Sequence, residues 1–300
     1  MEIQNAYGGA ASIASGFNIN GGEAIDSGPR TGRSGPYALA TGPGAVRRLH
    51  LLHKIYAPAG RRVLLEAGLR EGMRAVDFGC GVGAVSRMLA EIVGPSGSVV
   101  GVDVDQAQLK EAANWCAGGG LRNCSFIAAS AESTGLPRNS FDLVYCRFLL
   151  LHLPDPVTCL REMREILKPG GVLVVEDGDL RSAGSIPASA QDEFARLFSR
   201  FEALRGLNYS IANDLYHMVR DAGFADPRVD IHQPALLEQD ERRFLEWSVA
   251  EAGEAFVNAG LTSYEDLELT LMNMKESIDD PGILILAPRM FIVSARKAVR

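Results

Sequence analysis

From Met73 onward, short runs of β-branched and apolar residues alternate with longer stretches in which apolar positions return every three or four residues. The runs predict strands at 74–78, 98–103, 124–129, 141–146 and 172–176, and the stretches between them predict helices near 84–93, 105–117 and 155–168. Asp105 is placed to cap the second helix; Asp155 followed by Pro156 gives the third an N-cap and a proline at its first helical position. Leu167-Lys168-Pro169-Gly170-Gly171 reads as the stop of that helix, with a proline that cannot continue it and glycines that can turn left-handed. Strands alternating with helices of this length predict right-handed βαβ units, and so an α/β fold with a doubly wound, mostly parallel sheet.

The flanks follow other patterns. Val46, Leu49, Leu52, Tyr56 and Val63 recur at helical spacing between residues 44 and 68, with Pro58 expected to divide the helix in two. Residues 1–44 hold 10 of the 32 glycines and five charged residues, with no period of either kind. That composition fits a flexible arm, either a disordered terminus or a lid that orders over a ligand. After Asp179, Phe194, Leu197, Phe198, Phe201 and Leu204 stripe one helix of about 18 residues, followed by a helix at 210–222 and a strand near 227–232. Helices at 240–258 and 263–277, the latter opening on the Ser263–Asp266 capping pattern, precede a closing strand at 289–296. The expected organisation is an arm (1–44), a ligand-binding core (45–180) and a C-terminal part (181–300) that carries helical insertions at 188–222 and 240–277.

Composition narrows the function. Of 300 residues, 30 are basic and 37 acidic, a net charge of −7, and no cluster of five Lys or Arg occurs, which argues against a nucleic-acid partner. No apolar run reaches the ~18 residues of a membrane helix, and Met1–Ala10 lacks a basic, then hydrophobic, leader, so no membrane partner and a cytoplasmic location are expected. Five cysteines without a C-x-x-C pair read as reduced core thiols.

The chemistry concentrates in Ala75-Val76-Asp77-Phe78-Gly79-Cys80-Gly81-Val82-Gly83: a strand, an acid, then glycines at alternate positions running into a helix. Backbone can approach a ligand closely there, beneath the positive end of the helix dipole. Gly79, Gly81 and Ala84 also satisfy the dinucleotide pattern G-x-G-x-x-G/A, so the loop alone leaves the ligand open. Asp103 ends the next strand 24 residues after Gly79, where a carboxylate can accept both ribose hydroxyls. Ser130-Ala131-Glu132 follows the third strand, where a backbone N–H and a small or acidic side chain can read an adenine edge, and Phe141–Cys146 empties into the loop 147–154.

This ordered set resembles the class I S-adenosylmethionine-dependent methyltransferases, in particular the small-molecule branch similar to ubiquinone/menaquinone-biosynthesis and natural-product enzymes. The resemblance is strong over about residues 60–180 and loose over the last strands. It implies a seven-stranded sheet with an antiparallel last strand and S-adenosylmethionine as cofactor. It also implies that Asp77, Gly79, Cys80, Gly81 and Gly83 contact the methionine end and Asp103 the ribose, with Val104, Ala131 and Glu132 around the adenine and Cys146 and Arg147 at the lip of the fourth strand. Plainer roles stand beside these: Asp103 as a helix cap, Glu132 as a solvated loop carboxylate, Cys80 as a small residue and not a nucleophile.

Methyl transfer asks mainly for in-line positioning in a dry site. An acceptor carrying a proton also needs a base. His152, Asp177 and the neighbouring Glu176 and Asp179 stand at the carboxyl ends of the fourth and fifth strands, the expected ligand side; His152, in a greasy run, reads equally as a buried structural histidine. Tyr37 is the aromatic candidate to cover a sulfonium or acceptor, or else an anchor for the arm. Cys146-Arg147 stands where metal-dependent catechol-type enzymes carry an acid, and His50 and His53 have no third ligand, so no metal is expected. Phe194, Phe198, Phe201, Trp247, Phe256, Met272 and Met274 are candidates for an apolar pocket around a small-molecule acceptor, although most residues of this kind are core. A non-methylating reaction such as cyclisation, a nicotinamide-dependent oxidoreductase and a non-enzymatic sensor of the cofactor remain the rival readings.

Overall fold

The β-branched runs become the centre of a seven-stranded sheet in the computed structural model, which describes residues 43–299. In chain order the strands are β1 (Arg74–Phe78), β2 (Ser98–Asp103), β3 (Cys124–Ala128), β4 (Phe141–Arg147), β5 (Leu167–Asp179), β6 (Gly184–Ile186), β7 (Ala225–His232), β8 (Ala235–Leu236), β9 (Leu284–Leu286) and β10 (Arg289–Arg296). The large sheet runs β3-β2-β1-β4-β5-β10-β7. Its first five strands are parallel, and β10 inserts antiparallel between β5 and β7. β1 therefore has β2 on one side and β4 on the other, the switch point at which an open α/β sheet leaves a crevice beyond its strand ends.

Helices α1 (Pro43–Glu66), α2 (Ala84–Val93), α3 (Gln106–Gly118), α4 (Pro156–Ile166), α5 (Glu193–Arg205), α6 (Leu215–Asp221), α7 (Gln239–Arg242), α8 (Phe244–Asn258) and α9 (Tyr264–Ile278) surround it. Alternate residues of the strands feed two cores. Ala75, Leu143, Tyr145 and Val174 meet Val63 and Leu64 of α1 and Leu89 of α2 on one face. Val76, Phe78, Val144, Cys146 and Val175 meet Leu160 and Met163 of α4 on the other, and this second core runs on into α5 and α8. Both faces are apolar because both are covered, which is why the strands read as continuous apolar runs. Residues of 45–180 and 181–300 thus share one sheet.

The caps act as expected: Asp105 accepts from Ala107 N, Asp155 from Thr158 N with Pro156 at the first helical position, and Ser263 from Asp266 N. Four points differ from what the pattern implied. Pro58 does not divide α1; it lies on the exposed side of a helix that runs unbroken from Pro43 to Glu66, while buried Tyr56, Ala59 and Val63 pack inward. Leu167–Gly171 stops α4 at Ile166, with Gly170 left-handed at φ 78°, but it already belongs to β5, which begins with the pairing of Leu167 to Phe141 and continues past a register shift. The helix after Asp179 is shorter than the stripe implied, because Gly206 turns left-handed at φ 64° and ends α5 at Arg205; the 210–222 segment is a 3-10 turn (Ile211–Asn213) followed by α6. A second sheet, β6-β9-β8, was not anticipated, since two- and three-residue strands are too short to show a period. Among the described residues no helix is long and apolar enough to cross a membrane.

Candidate functional site

The loop after β1 is shaped by three glycines in the left-handed region, Gly79 (φ 65°), Gly81 (φ 52°) and Gly83 (φ 80°). Gly83 is also the N-cap of α2, and a Cβ there would stand 2.7 Å from Ala112 Cβ and 3.0 Å from its Cα, so α2 and α3 close together only around a glycine. The loop is tied to β2: Cys80 N donates to Val102 O at 3.0 Å, and Gly81 N donates to Asp103 Oδ2 at 2.9 Å. The other oxygen of Asp103 accepts Asp105 N at 3.0 Å, which leads into the cap of α3. One carboxylate thus holds the glycine loop and the start of α3 at the end of β2. Burial raises its pKa, opposed by these N–H bonds. Val104, 73% exposed, follows it at the mouth of the crevice, and Ala129 N reaches Asp103 O at 3.0 Å, bringing buried Ala131 and half-buried Glu132 toward the same end of the sheet.

Asp77 lies beneath the loop. It is fully buried and accepts Ser86 Oγ at 2.7 Å, tying β1 to the first turn of α2, and burial lifts its pKa to about 7. Cys80 and Cys146 are buried thiols whose pKa values burial raises. Cys146 needs correcting as a lip residue: its side chain points away from Arg147 into the core under α4, so only its backbone stands at the strand end. Arg147 does stand there. Its Nη2 lies 3.1 Å from His53 Nδ1 of α1, and its Nη1 is buried without a hydrogen-bond partner among the described residues. Glu176, its cross-strand neighbour, takes the hydroxyl of Tyr145 and is buried with Oε1 unpartnered among the described residues; burial raises its pKa, and Arg147 opposes the rise. A Cβ on Gly60 would stand 2.9 Å from Glu176 Oε2, so α1 packs down onto this cluster through a glycine.

The remaining acidic candidates are tied up structurally. Asp177 accepts Leu150 N at 2.9 Å and Gly178 N at 3.0 Å, and burial lifts its pKa to about 7; it fixes the 3-10 turn Leu150–His152 that follows β4. Asp179 accepts Ser210 Oγ at 2.8 Å and Arg289 Nη2 at 3.2 Å, joining β5, β10 and the turn before α6. His152 rides on the turn that Asp177 fixes, and burial, aided by the charge of Arg48, lowers its pKa to about 3. Its ring begins an aromatic ladder: 6.1 Å to Tyr209, then 5.7 Å from Tyr209 to Phe198, and 4.6 and 5.2 Å from Phe198 to Phe194 and Phe256. Phe194, Phe198, Phe201, Phe256 and Met274 are core, Met272 is exposed, and Trp247 is half-buried.

The element that the sequence undersold is α1. Leu49 Cδ1 lies 3.9 Å from a Cβ placed on Gly81, so the helix passes over the glycine loop. His50 meets the Trp115 ring edge-on at 4.3 Å, His53 meets Arg147, and Tyr56 donates to Pro288 O at 2.9 Å. On the next face Arg48 Nε donates to Glu251 Oε2 of α8 at 2.7 Å, and Arg47 and Arg243 stack on Trp247 at 4.3 and 5.3 Å. Arg48, Glu251 and Tyr209 carried no local sequence signal. Burial lowers the pKa of both His50 and His53, the latter to about 3; among the described residues no group of three or more His, Cys, Asp and Glu is placed to hold a metal. Tyr37 and the arm before residue 43 lie outside the described residues.

These residues fit an adenosyl cofactor with an amino-acid tail. The glycines leave the loop without side chains, Asp103 retains lone pairs beyond the two N–H groups it accepts, Val104 offers an apolar surface, and Arg147 holds a buried, unused donor at the end of β4. Comparison with known proteins agrees. Residues 69–223 match the family model described as "Methyltransferase domain". Aklanonic acid methyltransferase DauC of Streptomyces sp. (strain C5) is 37% identical over 134 residues, 45% of this chain and 60% of that protein. Demethylmenaquinone methyltransferase of Staphylococcus aureus is 30% identical over 193 residues, 59% of this chain and 77% of that protein. The chain therefore spans 60% of the length of the first of these relatives. Among solved structures, the YcgJ protein of Bacillus subtilis superposes with a TM-score of 0.53 at 19% identity, covering 79% of this chain and 96% of that one. Phosphoethanolamine N-methyltransferase 2 of Haemonchus contortus, in complex with phosphomonomethylethanolamine and S-adenosylhomocysteine, gives 0.51 at 16%, covering 84% and 52%. At these identities the two structures establish the fold.

Proposed function

This chain belongs to the methyltransferase-domain family, and we propose that it transfers a methyl group from S-adenosylmethionine to a small organic acceptor. The carrying observation is the glycine loop clamped to Asp103 at the switch point between β1, β2 and β4. When bound, S-adenosylmethionine supplies a methyl on a positively charged sulfur. In this reading the loop backbone from Gly79 to Gly83 holds the amino-acid end, Asp103 accepts from the ribose hydroxyls, and Val104, Ala131 and Glu132 surround the base. Arg147 contributes its unused Nη1 to the amino-acid tail. α1 roofs the cleft and keeps water from it, as transfer requires.

On the acceptor side, His152 is a neutral group facing the acceptor and Asp177 is the residue that positions its turn; Tyr37 is proposed to complete the cover. The relatives' names, an acid and a quinone, favour an acidic or quinoid acceptor; we place the reaction in secondary metabolism and in the cytoplasm. The family match favours neither the nicotinamide reading of Gly79, Gly81 and Ala84 nor a non-methylating reaction. Incubating the protein with methyl-labelled S-adenosylmethionine and a panel of aromatic acids and hydroxyquinones tests this. Mass spectrometry is expected to find S-adenosylhomocysteine and a labelled product in equal amounts; product without S-adenosylhomocysteine would point to a non-methylating reaction.

A further inference from the structure

We propose that Arg48 is the binding residue for an anionic oxygen of the methyl acceptor, a carboxylate or an enolate, an inference that rests on the methyltransferase reading above. Arg48 is 3% exposed, on the side of α1 that faces α8. Its Nε is taken by Glu251, while its Nη2 is buried and has no hydrogen-bond partner among the described residues. A guanidinium stays charged at any working pH and presents five N–H groups in a fixed fork. Glu251 engages one edge and leaves the other for a planar oxyanion, the geometry in which arginine binds carboxylates best. A buried charged donor left idle is unfavourable, so its persistence between α1 and α8 calls for a ligand that completes it.

The surroundings indicate which ligand. Arg48 is paired with α8, and it stands close enough to His152 for its charge to disfavour the imidazolium. Both neighbours belong to the acceptor side: α8 lies in the helical insertion, and His152 lies on the turn after β4 at the head of the aromatic ladder. Neither comes from the Gly79–Gly83 loop or from β2, where Asp103 and the cofactor-facing backbone are gathered. A flat, apolar acceptor against Tyr209 and His152 would therefore carry its negative oxygen toward Arg48.

The test uses 9,10-anthraquinone-2-carboxylate and the matching carboxamide as probes, titrated into the full chain saturated with S-adenosylhomocysteine. The carboxylate is expected to bind the wild type at least tenfold more tightly than the carboxamide. Arg48→Gln should abolish that preference while keeping S-adenosylhomocysteine affinity within twofold, and Arg48→Lys, which keeps the charge and the pairing to Glu251, should retain part of it. The Lys variant also decides the matter if the Gln variant does not fold. Equal binding of both probes to the wild type, or an undiminished preference in the folded Gln variant, would overturn the proposal. A folded Gln variant that loses S-adenosylhomocysteine would overturn it too, assigning Arg48 to the cofactor's own carboxylate. Failure of the wild type to bind S-adenosylhomocysteine would instead refute the methyltransferase reading.

Discussion

The two halves of the cleft are held together over very different stretches of chain. On the cofactor side the decisive bond, Gly81 N to Asp103, joins residues 22 apart, and the next, Asp105 N to Asp103, joins residues two apart. On the acceptor side Arg48 reaches Glu251 across 203 residues and Tyr56 reaches Pro288 across 232. The first half works through backbone groups, so its side chains matter mainly by being absent or by accepting N–H bonds. The second works through side chains brought together by packing. A substitution in the first half is therefore expected to act on geometry and cofactor affinity, and one in the second on the acceptor.

The strongest way to break the contrast is Gly83→Ala. Left-handed backbone and overlap with the Cα of Ala112 together are expected to cost roughly 2–4 kcal/mol of stability, read by urea unfolding, with cofactor affinity falling alongside. Gly81→Val carries the strain of a β-branched residue at φ 52°, but its Cβ meets no backbone, the nearest atom being the movable end of Gln108 at 3.0 Å, so binding is expected to fall further than stability. S-adenosylhomocysteine affinity should drop about 100-fold, or ~2.7 kcal/mol, while the folded state survives; normal binding would reduce the loop to a structural turn. Asp103→Ala removes an ionised acceptor from the loop and is expected to weaken calorimetric binding by roughly 1.5–3 kcal/mol.

Smaller effects sharpen the acceptor half. The folded chain holds a proton on Asp177 up to about pH 7, whereas the unfolded carboxyl releases it near 3.8, so the folded state binds more protons between those values. Asp177 thus makes stability rise as pH falls from about 7 toward 4. His152 does the reverse: with a folded pKa of about 3 against 6.5 unfolded, stability present above pH 6.5 is lost as pH falls toward 3. Unfolding curves between pH 4 and 8 should show Asp177→Asn losing the gain on acidification and His152→Gln losing the sensitivity to acid, each by at most about 1.4 kcal/mol per pH unit. In kinetics the expected effect is a null: a histidine of pKa about 3 imposes no inflection on kcat/KM between pH 6 and 8, so His152→Gln leaves the shape of that profile unchanged.

The same difference explains what could be read from sequence. The β1 loop, Asp103 and the parallel strands were legible because glycine spacing and apolar runs are local signatures of backbone geometry. The inward turn of Cys146 was missed because the pleat, fixed by pairing with β5, decides which of Cys146 and Arg147 faces the core. α1 was recognised as a helix, but its place over Gly81 depends on packing against β10, α2 and α8, to which no short motif corresponds. Arg48 and Glu251 look like ordinary surface charges until the fold brings them together.

The central claim is that the crevice beyond β1, β2 and β4 is built for S-adenosylmethionine. Titration calorimetry of the purified chain with S-adenosylmethionine, and separately with NADH, tests it most directly. One-to-one binding of S-adenosylmethionine without added metal, and none of NADH, is the expected result. Binding of NADH with no response to S-adenosylmethionine would contradict the account.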